Sequence, residues 1–225
     1  MQTTNHSTIK IKKICATAMF CALAYACMYF IKIPVGFLTL DVKDSLIVLT
    51  SLLFGPVYGL TIAVTVPFLE LITISGTGVY GFIMNVCSSV TFSMTAGLIY
   101  QHKKSITGAI IGLCTGVFSV TAVMMLANLF VTPYYIGGSV ADVAAMIPKI
   151  LLPFNLVKAT LNAAIILLLY KPLSTTLKRI GFLPSSSSSR SSGNTEHGKM
   201  RSVLITVIAL AVIAGSLAVI FFVLR

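Results

Sequence analysis

Asp44-Ser45-Leu46-Ile47-Val48-Leu49-Thr50-Ser51-Leu52-Leu53-Phe54-Gly55-Pro56-Val57-Tyr58-Gly59 opens an apolar run that continues to Ile74. One transmembrane helix takes about 20 residues, and this run is too long for one comfortable crossing. Gly55-Pro56 interrupts it. Proline lacks the backbone donor and disfavours helix at the residue before it. Divided there, the run becomes a helix over 44–54 and another over 57–74. The first is only roughly 17 Å long at 1.5 Å per residue, so it has to be shielded by protein or sit where the bilayer is thinned.

Outward from this stretch, further apolar runs fall at about 14–33, 79–100, 105–131 and 147–170. Basic clusters decide their topology. Lys10-Ile11-Lys12-Lys13 precedes the first run and His102-Lys103-Lys104 follows the run at 79–100. Both belong on the cytoplasmic side by the positive-inside rule. An even number of crossings separates them only if 44–74 counts as two. The expected unit, residues 1–181, is therefore an all-α bundle of six membrane helices with both ends in the cytoplasm. Residues 182–201, rich in serine, are a flexible linker by composition. Residues 202–225 supply one more membrane helix, with small-residue faces at Ala211/Gly215 and Ala214/Ala218.

Composition supports this class. The chain is 57% hydrophobic and 9% charged, with mean hydropathy +1.00, which excludes a soluble domain. A net charge of +11 invites a nucleic-acid reading. Position decides against it, because most of the lysines and arginines flank apolar spans or lie in tails. Four of the five acids, Asp41, Asp44, Glu70 and Asp142, fall in or beside segments on the opposite side. Charge here reports topology, and the partner it implies is a bilayer. Cys15, Cys21, Cys27, Cys87 and Cys114 lie inside apolar runs with no CxxC pair, as small core residues would. Ala22-Leu23-Ala24 resembles a signal-peptide cleavage site. The apolar run continues past it to Ile33, so a retained first helix with a cytoplasmic N-terminus is expected.

Catalytic motifs are weak. Gly193-Asn194-Thr195-Glu196-His197-Gly198-Lys199 approaches a phosphate-binding loop, but Met200 replaces the required hydroxyl and polyserine stands where a strand should. No ATPase is expected in this chain. His6, His102 and His197 lie outside the apolar runs, and neither HExxH nor GxSxG occurs. Asp41 and Asp44 have the spacing of a metal–diphosphate site without a second acidic cluster. Asp44 is instead expected to cap the short second helix. No catalytic and no metal-ligating residue is assigned.

The polar residues inside the spans form a more coherent set. Pro153-Phe154-Asn155-Leu156-Val157-Lys158 lies within an apolar run from about Ala144 to Tyr170. An ionisable group at membrane depth marks a functional site by default. Asn155, Lys158 and Asn162 share one helical stripe, while Asn85 and Asn128 lie in the fourth and fifth helices. Helix–helix hydrogen bonding explains any single asparagine; the set together with a lysine points to a ligand site. Ile33 to Asp41 is an apolar outer loop, resting on the membrane surface or closing as a lid. Thr132 to Gly138 is a second outer loop that adds aromatics such as Tyr135.

Phe37-Leu38-Thr39-Leu40-Asp41, Phe54-Gly55-Pro56-x-x-Gly59, Asn128 with Thr132-Pro133-x-Tyr135, and Pro153-Phe154-Asn155-x-x-Lys158 occur in that order within residues 9–180. In these motifs the chain resembles the substrate-binding S components of energy-coupling-factor (ECF) vitamin transporters, most of all the riboflavin-specific type. The resemblance implies a six-helix S component that takes its vitamin from outside and then joins a transmembrane coupling subunit and two cytoplasmic ATPases. It implies that Asn128, Asn155 and Lys158 contact riboflavin and that the loop from Phe37 to Asp41 closes over it. The vitamin is the transported ligand, with no cofactor. Such families pack a small-residue stripe of the first helix on the coupling subunit, and Ala18, Ala22 and Ala26 form such a stripe here; packing within the bundle explains the same pattern. Val66-Pro67-Phe68-Leu69-Glu70 and the seventh span depart from the pattern. The alternatives are an S component for pantothenate, folate or thiamine, an intramembrane enzyme around Asp41, Asp44 and Glu70, and an assembly scaffold.

Overall fold

The structure is a computed structural model and describes residues 2–180, 182 and 196–223. The polyserine tract and residues 193–195 of the segment resembling a phosphate-binding loop lie outside the described residues. Helix α1 (Gln2–Phe30) buries Ala16, Phe20, Ala24 and Met28, one residue per turn along a single stripe. Ala18 and Ala22 face outward and Ala26 is half-buried.

The loop after α1 is not irregular. Lys32–Val35 (β1) and Leu38–Asp41 (β2) pair antiparallel, Lys32 opposite Asp41 and Val35 opposite Leu38. This hairpin is the departure from an all-α chain. Its two-residue turn has Gly36 at φ +61° and Phe37 at negative φ, the positive-then-negative pattern that fits strand twist. Pro34 falls opposite Thr39, one pair from the turn, where an antiparallel ladder asks for no amide donor.

Helix α2 (Lys43–Phe54) is the centre of the bundle. Ten of its twelve residues are buried, and α1, α3, α4 and α7 all pack on it. A helix this short is thereby shielded by protein on its sides. Its start is capped from another helix. Val42 is the N-cap residue and makes no side-chain cap. The amide of Ser45 donates to Asn162 Oδ1 on α7 at 2.9 Å. The capping expected of Asp44 is thus performed by Asn162, while Asp44 itself accepts from the hydroxyl of Ser89. Gly55, at φ +117°, separates α2 from α3 (Pro56–Thr73).

Helices α4 (Gly78–His102) and α5 (Ile106–Ile136) pack closely on each other. The loop expected at Thr132–Gly138 is instead the end of α5, closed by Gly137 in the left-handed conformation at φ +68°. Helix α6 (Val140–Met146) continues through a π-helical turn (Ile147–Leu151) into α7 (Leu152–Arg179). Pro148 lies within that turn and Pro153 follows it in the first turn of α7, and neither has a backbone donor. Helix α8 (Glu196–Val223) lies along α7. It buries Ala209 and Ser216 and sets Ile213 against the cluster of Val35, Leu40 and Leu161. Ala211, Ala214, Gly215 and Ala218, the small-residue faces read from sequence, point outward.

Among the described residues, five helical segments are long and apolar enough to cross a bilayer: Lys10–Phe30, Pro56–Thr73, Gly78–His102, Ile106–Ile136 and Val140–Arg179. Val57, Ile72, Phe118 and Phe130 stand exposed on their outer faces, an apolar surface that a bilayer would cover. Lys13 lies over the Tyr58 ring and Gln101 reaches Gly55. The basic clusters at Lys10–Lys13 and His102–Lys104 therefore sit at one end of the bundle and the hairpin at the other.

The α2–α4 contact depends on the missing side chain of Gly97, where an added Cβ would fall on Ser51 Oγ and 3.3 Å from Pro56 Cβ. A Gly97→Val variant should lose about 1–3 kcal/mol, seen as a lower thermal midpoint in detergent. Gly215→Ala should leave the midpoint unchanged, because a Cβ there meets nothing within 4 Å. Equal midpoints for the two variants would contradict this packing.

Candidate functional site: a cavity under the hairpin

At the hairpin end, six elements converge on a chain of charges. Lys158 Nζ on α7 donates to Asp41 Oδ2 at 2.9 Å and to the Thr39 carbonyl at 3.3 Å. Lys43 Nζ lies 3.5 Å from the same Asp41 oxygen and 3.1 Å from Glu70 Oε2. Lys32 Nζ reaches Glu70 Oε1 at 2.9 Å, and Asn85 Nδ2 donates to Glu70 Oε2 at 2.7 Å. The hairpin, α2, α3, α4 and α7 are therefore joined through three lysines and two of three carboxylates. Lys43 is 1% exposed, which a charged side chain tolerates only when paired. Asp41 Oδ1 is the buried side-chain atom left without a hydrogen bond among the described residues.

Above this chain a cavity opens, with about 730 Å³ of space when its open mouth is counted. Phe37, Leu38 and Thr39 of the hairpin line it, together with Asn85, Asn128, Tyr135, Asn155 and Lys158. Eight of the nine ligand-site residues named from sequence thus share one wall. The ninth, Asp41, lies beneath it as the partner of Lys158. Asn162 is not a cavity residue. Its amide donates to the Asp41 and Lys158 carbonyls and its oxygen accepts from Ser45, so its hydrogen bonds are taken up in joining α7 to α2.

The cavity atoms have defined polarity. Asn155 Nδ2 donates to the Leu151 carbonyl at 2.8 Å, which leaves its oxygen as the acceptor. The π turn just before α7 sets that geometry, since it leads directly into the turn carrying Asn155. Asn128 Nδ2 donates to Met124 O, and its oxygen accepts from Thr132. Two of the three Lys158 hydrogens are occupied. Phe37, Tyr80, Tyr135 and Phe154 add aromatic walls. Among the described residues no group of three or more His, Cys, Asp or Glu side chains could hold a metal ion. Such a site can enclose a planar apolar body and read the heteroatoms at its edge without covalent chemistry.

Sequence reasoning missed Glu70, Tyr80, Met84, Ser88, Met124 and Val131 as cavity residues. A signal was present: Gly81, Met84, Asn85 and Ser88 repeat at helical spacing, as do Met124, Asn128, Val131 and Tyr135. It was also silent on Lys43, which reads as one more lysine beside a span.

An apolar helical bundle whose polar cavity lies beneath a hairpin at one end is a membrane-embedded binding protein for a small molecule. Residues 12–170 match the family model described as "ECF transporter, substrate-specific component". The chain is also 33% identical over 179 residues to the riboflavin transporter RibU of Staphylococcus aureus (strain TCH60), spanning 75% of this chain and 94% of that protein. A solved structure described as "Structure and mechanism of the S component of a bacterial ECF transporter" superposes with a TM-score of 0.64 at 32% identity. That match covers 76% of this chain and 99% of the other. The chain belongs to the ECF transporter substrate-specific components and is a multi-pass membrane protein.

The Lys158–Asp41 pair has a stability signature of its own. Lys158→Met leaves a buried carboxylate with only the longer contact to Lys43, and breaking a buried pair costs about 3–5 kcal/mol. The variant should melt well below wild type, and Asp41→Asn added to it should restore part of the loss. A double variant no more stable than Lys158→Met would contradict the pairing.

Proposed function

We propose that this chain is the riboflavin-binding subunit of an ECF importer in a bacterial cell membrane. It captures the vitamin at the hairpin end and carries no ATPase of its own. The observation that supports this most is where the Pro153–Lys158 motif falls. Asn155 and Lys158 open on the same cavity as Asn85, Asn128 and the hairpin residues Phe37–Thr39, in a chain one-third identical to a named riboflavin transporter. The flavin ring is flat and apolar with polar edge atoms, and its chain bears hydroxyls. Aromatic walls suit the first and the asparagine oxygens suit the second.

The partners follow from the family: a transmembrane coupling subunit and two cytoplasmic ATPases. Ala18 and Ala22 support docking through α1, because they lie on its outward face while Ala16 and Ala24 serve the bundle's own packing. Basic clusters grouped at the end opposite the hairpin support a cytoplasmic N-terminus. In this reading six helices form the binding bundle and α8 adds a seventh crossing.

Purified protein should quench riboflavin fluorescence at a stoichiometry of one. Asn155→Ala should weaken binding about tenfold, as loss of one buried hydrogen bond would, without lowering the thermal midpoint of the unliganded protein. Pantothenate, folate or thiamine raising the midpoint where riboflavin does not would assign the site to another vitamin. Unchanged riboflavin affinity in Asn155→Ala would remove Asn155 from the site.

A further inference from the structure

We infer that Glu70 is a positioning residue that makes Asn85 a hydrogen-bond acceptor toward the ligand, so that this wall of the cavity reads an O–H or N–H donor. The Glu70 carboxylate is ion-paired with Lys32 at 2.9 Å and with Lys43 at 3.1 Å. An ionised carboxylate only accepts hydrogen bonds. The Asn85 side chain, 2.7 Å away, must therefore present its NH₂ to Glu70. Its carbonyl oxygen then points elsewhere. That oxygen has no protein partner, and it is not among the enclosed atoms that lack one, of which Asp41 Oδ1 is the case found among the described residues. Asn85 lines the cavity, so the accessible oxygen faces the space a ligand would fill.

Asn155 is oriented by the same logic from a different neighbour, the Leu151 carbonyl, which likewise only accepts. Two asparagines on α4 and α7 thus both offer oxygens, although the side chain of each could offer either end. An amide free to turn would read donor and acceptor alike. Glu70 removes that freedom at Asn85. A ligand edge bearing hydroxyls or an imide N–H is complementary to these two oxygens. The inference rests on the riboflavin reading only for the choice of probe.

The test is a double-mutant cycle on riboflavin affinity with Glu70→Gln and Asn85→Ala in the full chain. Glutamine keeps the size and, with its oxygen toward Lys32, places in the position of Oε2 an amide that can donate to Asn85, giving up the Lys43 contact. Each single variant should bind about tenfold more weakly. The double variant should bind no more weakly than Asn85→Ala alone, because Glu70 acts through Asn85. Losses that multiply to about a hundredfold, or full affinity in Glu70→Gln, would overturn the inference. If Glu70→Gln does not fold, Asn85→Asp is the second variant. A carboxylate there has no donor for Glu70 and would need to take a proton, so binding should weaken while Asn85→Ser, which keeps a donor and an acceptor, should lose less. Equal losses in those two would also overturn the inference. Wild-type protein that does not bind riboflavin at all fails the functional reading instead.

Discussion

Three lysines and two carboxylates form a chain of ion pairs at one end of an apolar bundle, and the need to keep them paired constrains the elements around them. Lys43 has no route to solvent, so Asp41 and Glu70 must come to it. Asp41 ends β2, Glu70 lies in the last turns of α3, and Lys158 rises from α7 to meet Asp41. With Lys32 on β1 held by Glu70, the hairpin base is fixed to the bundle.

From that anchoring the cavity follows. A hairpin fixed at its base and turning at Gly36-Phe37 sets its tip residues over the space between α4, α5 and α7. Helix α2 is short because its N-terminus has to start beneath the hairpin, where Asn162 receives its free amide. The rest of its surface is covered by neighbouring helices, and the close approach of α4 at Gly97 and α3 at Gly59 leaves no room for side chains there. One polar system thus supports the hairpin, the short helix α2 and the pocket floor.

Much of this architecture was legible in the residues. Gly55-Pro56 divided the long apolar run where the structure divides it, and the placement of lysines put Lys13 and His102 at a common end. The Pro153–Lys158 motif marked the cavity wall on α7. What could not be read locally is pairing across the fold. Asp44 beside a helix start looks like a cap, yet the cap arrives from Asn162, more than a hundred residues away. Lys158 looks like a ligand donor, yet two of its hydrogens go to Asp41 and Thr39. The hairpin at Lys32–Asp41 was hidden because its strands are four residues each, with a proline in one. Thr132–Gly138 reads as a loop because of Pro133 and two glycines, but the helix carries the proline and ends at the first glycine.

The central claim is that the cavity under the hairpin holds riboflavin, and mass spectrometry of the intact protein under native conditions tests it most directly. Protein purified from cells grown with the vitamin should carry one bound molecule with the mass of riboflavin, released on unfolding. A different small molecule at that stoichiometry, or an empty protein that stays empty when riboflavin is added, would contradict the account.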